Sequence, residues 1–327
     1  MTIFVEYLTC EQMISRTLIR IKAFKELYSR VTTGSTDTKA AEAELMQAFV
    51  QTQRLWGLMA LLPSALAMVA EDKVNTQMRK FNPDKQIIEQ NTRFASNALS
   101  SIVKADSVFV NWCSNQGISW MDFETPLKSI YSSVVSKDYF QDFAVKENPS
   151  VEDAVKLFRH IYSEELSGNE VLEDALESSN IWWTEDLEYV VNKILEKLSS
   201  VVSLGRVEIP QIFEEEEDEA FAKKLVGTVL LNFDDLAETI SSYMKNWEVG
   251  RVVQSDILIV AMGVAEAQTF SSIPVKVTIN EYVELSKNFS TPKSYSFVNG
   301  LLNTILKDMI SDGRIKKDPR GMVGGLY

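Results

Sequence analysis

The chain has 327 residues, of which 45% are hydrophobic and 24% charged, and this composition is typical of a globular protein and excludes a disordered one. The length exceeds the usual ~100–150 residues of one domain, so two folded units are expected. The formal net charge of −13 argues, over the chain as a whole, against a nucleic-acid ligand.

The negative charge is unevenly distributed along the chain. Residues 32–216 carry 29 acidic and 16 basic residues, whereas 1–31 and 217–327 together carry 17 of each. All of the excess negative charge therefore lies in the middle of the chain. The two terminal segments are free to present a local basic surface to a nucleic acid.

Residue types that support catalysis or metal binding are scarce. The two cysteines, Cys10 and Cys113, are too few for a disulfide framework, and a zinc site would need both of them together with the single histidine, His160. His160 has no serine or cysteine motif beside it, and the chain has no glycine-rich phosphate loop of a known type. We predict free thiols in a reducing cytoplasm, no metal, no cofactor and no enzymatic activity.

The chain opens with residues 1–12, which contain no basic residue. We interpret them as an extension upstream of the natural start or as an edge strand, and they do not have the pattern of a signal peptide. Residues 14–31 follow with apolar residues at the three-to-four spacing of an amphipathic helix. Its five basic residues, against the single acid Glu26, are Arg16, Arg20, Lys22, Lys25 and Arg30. This composition fits either the solvated face of a core helix or a nucleic-acid contact.

The middle of the chain favours helix after a predicted turn at residues 32–36. The predicted helical segments are 38–59, 84–115, 123–143, 151–166 and 169–203. The tryptophans of this region, at helical spacing, are interpreted as core residues and not as base-stacking platforms; they are Trp56, Trp112, Trp120, Trp182 and Trp183. The apolar run 55–70 is interrupted by Pro63 and is shorter than the roughly 20 residues of a membrane helix, so we predict a buried helix pair and no membrane association.

The last third of the chain begins with the acidic run 214–218, which predicts a solvated linker and a helix start. Two amphipathic helices are predicted between Ala220 and Trp247, and three more between Val252 and Ile305. Breaks at Pro274 and Pro292 separate these three helices, since proline disfavours helical geometry at the preceding residue.

Local signals suggest how these last helices begin and where the chain loosens. Thr278, with Glu281 three residues later, matches a capping box, and Ser294 or Ser296 can open the final helix. The tail from Arg314 onward is rich in basic residues and glycine and is expected to be loose. The sequence therefore predicts an all-α fold.

A set of residues within these last helices matches a known family pattern. It comprises Asp256, Leu258, Glu266, Ile273-Pro274, Ile279-Asn280-Glu281, Val283-Glu284-Leu285, Lys287, Phe289, Lys293-Ser294 and the run 297–302. In these residues the chain resembles the C-terminal half of the NusB family of bacterial transcription antitermination factors. The first helix also resembles that family, whose N-terminal helix is arginine-rich and ends in Leu-Tyr, as Leu27-Tyr28 does here.

The resemblance implies an RNA-binding surface formed by the first helix together with the turn and helix start before residues 297–300. The matching positions are Arg16, Arg20, Tyr28, Lys287, Lys293, Ser294 and Phe297. Cations on phosphates and aromatic rings on splayed bases are how unpaired RNA is recognised. Phe297 fits a core position equally well.

The resemblance also implies a second surface, at Asp256 and Glu266, that binds the ribosomal protein NusE. Together the two proteins would load onto boxA-type single-stranded RNA in nascent ribosomal RNA. They would then help the transcription elongation complex resist termination. The same fold occurs fused to RNA methyltransferases, but the cofactor loop that those enzymes need is absent from this sequence.

We predict a NusB-like helical bundle made of residues 13–31 and 217–312, interrupted by a mainly helical, acidic insert at 32–216. An N-terminal extension (1–12) and a flexible tail (313–327) complete the predicted organisation. The predicted function is that of a cytoplasmic RNA-binding antitermination factor. The alternative is a protein-interaction scaffold of the same fold, in which the acidic insert engages another partner.

Overall fold

The computed structural model describes residues 13–183, 185–213, 215–244, 253–323 and 325. Within these ranges the chain forms α-helices and short 3-10 helices and no strand, which confirms the predicted all-α class. The predicted extension 1–12 lies outside the described residues, as do Trp247 and Val252 at the ends of predicted helices.

Packing divides the chain into two units. We call Ile14–Phe49 together with Phe213–Tyr327 the terminal unit, and Met13 together with Val50–Ile212 the insert unit. By sequence, the terminal unit carries 18 basic and 21 acidic residues, whereas the remaining residues carry 15 basic and 25 acidic ones. Most of the net negative charge therefore belongs to the insert unit.

The first two helices show where the insert begins. α1 (Arg16–Thr33) starts after Ser15, whose hydroxyl accepts a hydrogen bond from the Leu18 amide at 3.3 Å. It ends at Gly34, whose φ of 69° is a left-handed conformation that favours glycine. α2 (Thr38–Ala60) begins in the terminal unit and ends in the insert unit.

The boundary between the two packing units lies at residue 50, whereas the sequence predicts that the insert begins at residue 32. The first half of α2 stays with the terminal unit because its side chains pack there: Glu44 forms an ion pair with Arg30 at 2.8 Å, and the Phe49 ring meets Phe213 edge to face at 5.1 Å. A turn signal in the sequence locates a change of direction. It does not say with which unit the next helix packs.

The insert unit continues after α2 with helices of 7 to 18 residues. They are α3 (Leu62–Met78), α4 (Lys85–Ala95), α5 (Ala98–Ala105), α6 (Ser107–Asn115), α7 (Glu124–Val134), α8 (Asp138–Ala144), α9 (Val151–Glu164), α10 (Glu170–Ser179) and α11 (Leu187–Leu204). The segment 84–115, predicted as one helical stretch, is divided into α4, α5 and α6. The divisions occur at Asn97 and Asp106, because their side chains accept hydrogen bonds from following backbone amides as N-caps.

The core of the insert unit is aromatic. Phe94 lies at its centre, with the rings of Tyr131, Phe140 and Phe158 at centroid distances between 5.6 and 6.1 Å. Three of the tryptophans predicted as core are buried, namely Trp56, Trp120 and Trp183, whereas Trp112 and Trp182 are partly exposed. Aromatic side chains bury roughly 150–250 Å² each, so a few of them contribute a large apolar area to this core.

The apolar stretch in α2 and α3 is mainly internal. Among the described residues, Thr38–Met78 is long and apolar enough to cross a membrane by length and composition alone. In the fold, 72% of its most apolar window is buried. Pro63 stands in the first turn of α3, where a missing backbone N–H costs no helical hydrogen bond. The two helices predicted to be buried are therefore present as core helices.

The terminal unit is completed by five helices, one of which is buried among the others. They are α12 (Glu216–Leu231), α13 (Phe233–Tyr243), α14 (Gln254–Thr269), α15 (Val275–Phe289) and α16 (Ser294–Ser311). α14 is buried at every residue from Leu258 to Ala267, and α1, α12, α13, α15 and α16 all pack against it. A helix that is apolar on all sides is expected to occupy such a central position.

The structure corrects the predicted capping box. α15 begins at Val275, and Thr278 lies inside the helix, buried, where its hydroxyl donates to Glu266 at 2.9 Å. Glu281 accepts a hydrogen bond from Thr17 of α1 at 2.9 Å. The two side chains therefore bond to other helices and not to the backbone at a helix start.

The tail is also more ordered than the sequence suggests. Lys317 is buried and donates hydrogen bonds to the backbone carbonyls of Ala267 and Phe270, both at 2.8 Å. Asp318 accepts one from the Ser271 hydroxyl at 2.9 Å. A cation at the carbonyl end of a helix is favourable, and here it fastens the tail to the end of α14.

Candidate nucleic-acid interface

The two distant segments predicted to form one surface do meet in the structure. α1 packs against α12, α14 and α15, so the first helix of the chain lies within the bundle formed by the last ones. The predicted site residues can therefore be compared in a single unit. They fall into an interior group and an exposed group.

Arg20 belongs to the interior group, which contradicts its predicted contact with RNA. Its side chain is 3% exposed and donates two hydrogen bonds to the Glu266 carboxylate, from Nε at 2.7 Å and from Nη2 at 2.9 Å. Glu281 lies 3.3 Å from Nη1. Because the side chain is buried and Glu266 engages its charge and two of its donors, the guanidinium is not accessible to a phosphate.

Glu266 is fully buried, which contradicts its predicted role in binding a partner protein. Besides Arg20, it accepts hydrogen bonds from the hydroxyls of Thr278 at 2.9 Å and Tyr282 at 3.0 Å. Burial, reinforced by the Glu266 charge, raises the pKa of Tyr282 well above its ordinary value. Burial alone would lower the pKa of Arg20, but the adjacent Glu266 raises it above its ordinary value, so the guanidinium remains charged.

Asp256 and Ser294 form a second interior group. Both are buried, and Asp256 accepts hydrogen bonds from the hydroxyls of Ser290 at 2.5 Å and Ser294 at 3.0 Å. These contacts contradict a partner-binding role for Asp256 and an RNA contact for Ser294. They tie the turn between α15 and α16 to the start of α14, and thereby fix the position of the exposed residues on that turn.

Arg16 is half-exposed but paired. Its Nε donates to Asp218 at 2.7 Å, and its guanidinium lies 5.4 Å from the centre of the Phe221 ring. By helical geometry it lies about 18 Å along α1 from Tyr28 and about a third of a turn around the axis. Arg16 is therefore separate from the rest of the exposed group.

Tyr28 lies in a cluster that we call the aromatic face, formed by Phe24, Lys25, Tyr28 and Phe289. The Tyr28 ring is 41% exposed and lies 5.9 Å from Phe24, which in turn lies 5.2 Å from Phe289 at the end of α15. The Lys25 ammonium stands 5.7 Å from the centre of the Phe289 ring. The predicted site did not include Lys25 or Phe289 as ligand contacts, although both are present in the segments that define it.

The turn after Phe289 carries further exposed residues. Lys293 is exposed at the start of α16, about four residues' reach, or roughly 14 Å at most, from Phe289. Tyr295 is 47% exposed and was not predicted. Lys287 is exposed and paired with Glu284 at 2.5 Å. Phe297 is 7% exposed, which decides for the core alternative and against base stacking.

The residue types considered for catalysis are placed elsewhere. Cys113 is buried, and burial raises the pKa of its thiol to about 12, so it is a poor nucleophile. His160 bonds to Glu164 at 2.6 Å and stacks on Tyr139 at 5.0 Å. Over the described residues no cluster of three or more potential metal ligands occurs. Cys10 lies outside those residues.

What the exposed group can do follows from its composition. Aromatic rings on α1, α15 and α16 and the cations Lys25 and Lys293 belong to one unit, and the Lys25 ammonium lies over one of these rings. Rings that can stack with unpaired bases, next to ammonium groups that can bind phosphates, are the features with which proteins bind single-stranded nucleic acid.

Known proteins resemble the last third of this chain. A sequence profile described as the NusB family matches residues 206–307. The chain is 36% identical over 104 residues to the transcription antitermination protein NusB of Salinibacter ruber, covering 32% of this chain and 65% of that protein. It is 37% identical over 101 residues to the protein of the same name from Bacillus subtilis, covering 31% of this chain and 77% of that one.

The matches cover only part of this chain and only part of each relative. A third relative, the NusB protein of Chloroherpeton thalassium, is 35% identical over 103 residues but is matched over 49% of its length. The chain thus covers between 49% and 65% of the length of the Chloroherpeton thalassium and Salinibacter ruber relatives. No solved structure matches it significantly. Helices α12 to α16 fall almost wholly in the matched segment, and α1, which lies outside it, packs against them. The chain belongs to the NusB family.

Proposed function

We propose that this chain is a cytoplasmic transcription antitermination factor whose terminal unit binds boxA-type single-stranded RNA. It would act together with the ribosomal protein NusE, as part of a transcription elongation complex on ribosomal RNA genes. The names of its relatives support antitermination over the scaffold alternative. The proposal assigns no catalytic step to the chain.

The aromatic face is the observation that carries the proposal. Its exposed Tyr28 ring offers a stacking surface, and the Lys25 ammonium over Phe289 adds positive charge within a single turn of α1. Base stacking on an aromatic side chain contributes roughly 1–3 kcal/mol per base. A strand that crosses this face would continue toward Lys293.

The local charge balance also supports RNA binding. Several acids of the terminal unit are buried or paired within the protein, as Asp218 is with Arg16, Glu266 with Arg20 and Glu26 with Arg30. These carboxylates oppose a nucleic acid less than their number suggests. Lys293 forms no ion pair with any described residue, so its charge is available to a phosphate.

The contact with NusE must use other residues than those first predicted. Asp256 and Glu266 are buried and hydrogen-bonded inside the terminal unit. A partner could reach them only by unfolding the helices that cover them. The proposed partnership therefore rests on what the resemblance to the NusB family implies and not on these two side chains.

The proposal is tested by fluorescence anisotropy with a labelled boxA RNA and a scrambled RNA of the same composition, with and without NusE. We expect wild type to prefer boxA, and NusE to increase the affinity. Tyr28→Ala should lower the affinity about tenfold, since it removes one stacking contact. Equal binding of the two RNAs, or an unchanged affinity in Tyr28→Ala, would overturn the assignment.

Val277→Ala provides the matched control. Val277 is also exposed, on α15, but it lies about 18 Å along that helix from Phe289. Its substitution removes apolar surface of the same unit without touching the aromatic face. The control should bind RNA as wild type does.

A further inference from the structure

The insert unit has a cationic, aromatic tip of its own. α3 and α4 pack together as a helical hairpin, and the turn that joins them, residues 79–84, is exposed throughout. We call residues 78–85 the α3–α4 tip. The last two turns of α3, before the tip, have no buried residue, so the hairpin extends beyond the core of its unit.

The tip combines apolar and basic side chains in an unusual way. Phe81 is fully exposed and Met78 is 60% exposed. Arg79, Lys80 and Lys85 are exposed as well, and none of the three forms an ion pair with a described residue. A single exposed ring needs no explanation, but a ring flanked in the sequence by exposed, unpaired cations has the composition of a ligand-binding surface.

The acid in the tip does little to neutralise these charges. Asp84 is occupied as the N-cap of α4, where its carboxylate accepts a hydrogen bond from the Ile87 amide at 3.1 Å. Its charge is directed toward the positive end of that helix. The tip thus presents three cations on a unit that is otherwise acidic.

From this surface we infer that the α3–α4 tip is a second binding site for single-stranded RNA, in which Phe81 stacks on a base while Arg79 and Lys80 contact the flanking phosphates. The choice of RNA as the ligand rests on the proposed function of the terminal unit. The acidic surroundings would repel a polyanion elsewhere on the insert unit and so restrict its contact to the tip.

The alternative partner for such a surface is an anionic membrane, and the structure favours it less. Interfacial membrane binding normally uses an amphipathic helix with an extended apolar face. The tip offers two apolar side chains on a turn that also contains Asn82 and Pro83. One exposed ring is sufficient for stacking with one base, but it is a small area for insertion into lipid.

The test uses the full chain and an unstructured single-stranded RNA of mixed A and C, measured by fluorescence anisotropy over a series of salt concentrations. Phe81→Ala should weaken binding about tenfold without changing the salt dependence. Replacing Arg79 and Lys80 by Gln should reduce the slope of log K against log salt by about 1.4, the value for two phosphates on a single strand.

Two variants of the same unit serve as matched controls. Met121→Ala removes an apolar side chain that is 85% exposed, and Lys128→Gln removes an exposed cation of α7 that is paired with Glu124. Both should bind as wild type does. If Phe81→Ala and the Arg79/Lys80 variant also bind as wild type does, the tip is not an RNA site.

Cross-linking separates this inference from the proposed function. The boxA RNA, carrying 4-thiouridine, is irradiated with the full chain, and the linked peptides are identified. Cross-links at residues 78–85 support the tip, whereas cross-links confined to the terminal unit overturn it and leave the proposed function standing. Cross-links confined to the tip would support the second site and overturn RNA binding by the terminal unit, and none at either place would reject both.

Phe81-dependent sedimentation with phosphatidylglycerol vesicles, in the absence of a cross-link at the tip, would assign the tip to a membrane.

Discussion

The two halves of α1 carry similar residues but differ in the environment of their side chains. In the first half, Arg16 and Arg20 are paired with Asp218 and Glu266, and Arg20 is enclosed by the bundle. In the second half, Tyr28 is exposed and Lys25 lies over Phe289 at the surface. The difference is set by what packs opposite each half. An acid across the interface turns a basic residue into a structural one.

This comparison explains why a basic helix is an ambiguous signal. The family pattern marks basic positions on α1, but it does not show which carboxylates face them. Arg20 meets an acid that lies 246 positions later in the sequence. A prediction of ligand contacts from one helix alone cannot include such a partner.

We expect the largest effect from Glu266→Ala, which removes the buried partner of Arg20 in the first half of α1. Removing one member of a buried ion pair leaves the other charge uncompensated, so the free energy of unfolding should fall by about 3–5 kcal/mol in urea denaturation. Glu284→Ala, whose partner Lys287 is exposed, should change it by less than about 1 kcal/mol. The double variant Arg20→Met, Glu266→Met should recover much of the loss. Equal stability of Glu266→Ala and wild type would contradict the buried pair.

Asp256→Ala should have the next largest effect. The Asp256 side chain attaches the exposed turn between α15 and α16 to the buried helix α14. The change leaves the hydroxyls of Ser290 and Ser294 without their acceptor and should lower the free energy of unfolding by about 2–3 kcal/mol. RNA affinity should fall as well, since the turn that carries Lys293 loses its attachment. Asp256→Asn, which keeps one acceptor oxygen, should be intermediate in both measurements. A stability loss with unchanged RNA binding would show that the turn does not contribute to the site.

Lys293→Ala should have a smaller effect, confined to the exposed side. Stability should be unchanged, and the slope of log K against log salt for RNA binding should decrease by about 0.7, the value for one phosphate on a single strand. Lys307→Ala is the matched control, because that lysine is exposed on the same helix about 21 Å away. An equal change of slope in both variants would indicate general charge attraction and no defined contact.

We expect the smallest effect in the pH dependence of stability, through Lys317, a buried lysine near Glu266. Burial lowers the pKa of Lys317 from 10.5 to about 8, although Glu266 and Asp318 oppose the shift. Between these two values the unfolded chain binds more protons than the folded one, so this lysine makes stability increase as pH increases above about 8. We expect the free energy of unfolding of wild type, minus that of Lys317→Met, to increase from pH 8 to pH 9.5. A difference that stays constant or decreases would show that Lys317 is not desolvated.

Much of the fold could be predicted from the sequence. Hydrophobic spacing and proline breaks located the three helices α14, α15 and α16, and the basic helix α1 was identified from its composition. Side-chain partners could not be predicted in this way. Thr278 and Glu281 match a capping box locally, yet each bonds to another helix because tertiary hydrogen bonds within a packed bundle compete with local ones.

The candidate site was predicted in outline only. Tyr28 and Lys293 are exposed, as an RNA contact requires, whereas Ser294 and Phe297 are buried. Residues next to one another on a helix point in different directions, so a matched run of sequence mixes interior and surface positions. Lys25 and Phe289 could have been found from the sequence only by knowing that α1 and α15 are neighbours.

The pairing of Arg20 with Glu266 has a consequence for synthesis on the ribosome. At translation rates of about 5–20 residues per second, the carboxylate would be made roughly 12–50 s after the guanidinium. During that interval α1 has no bundle to join, while the contiguous residues of the insert unit can already assemble their own aromatic core. The nascent chain is therefore expected to complete its middle before its ends, and its opening helix must remain soluble as a cationic segment until the closing helices emerge.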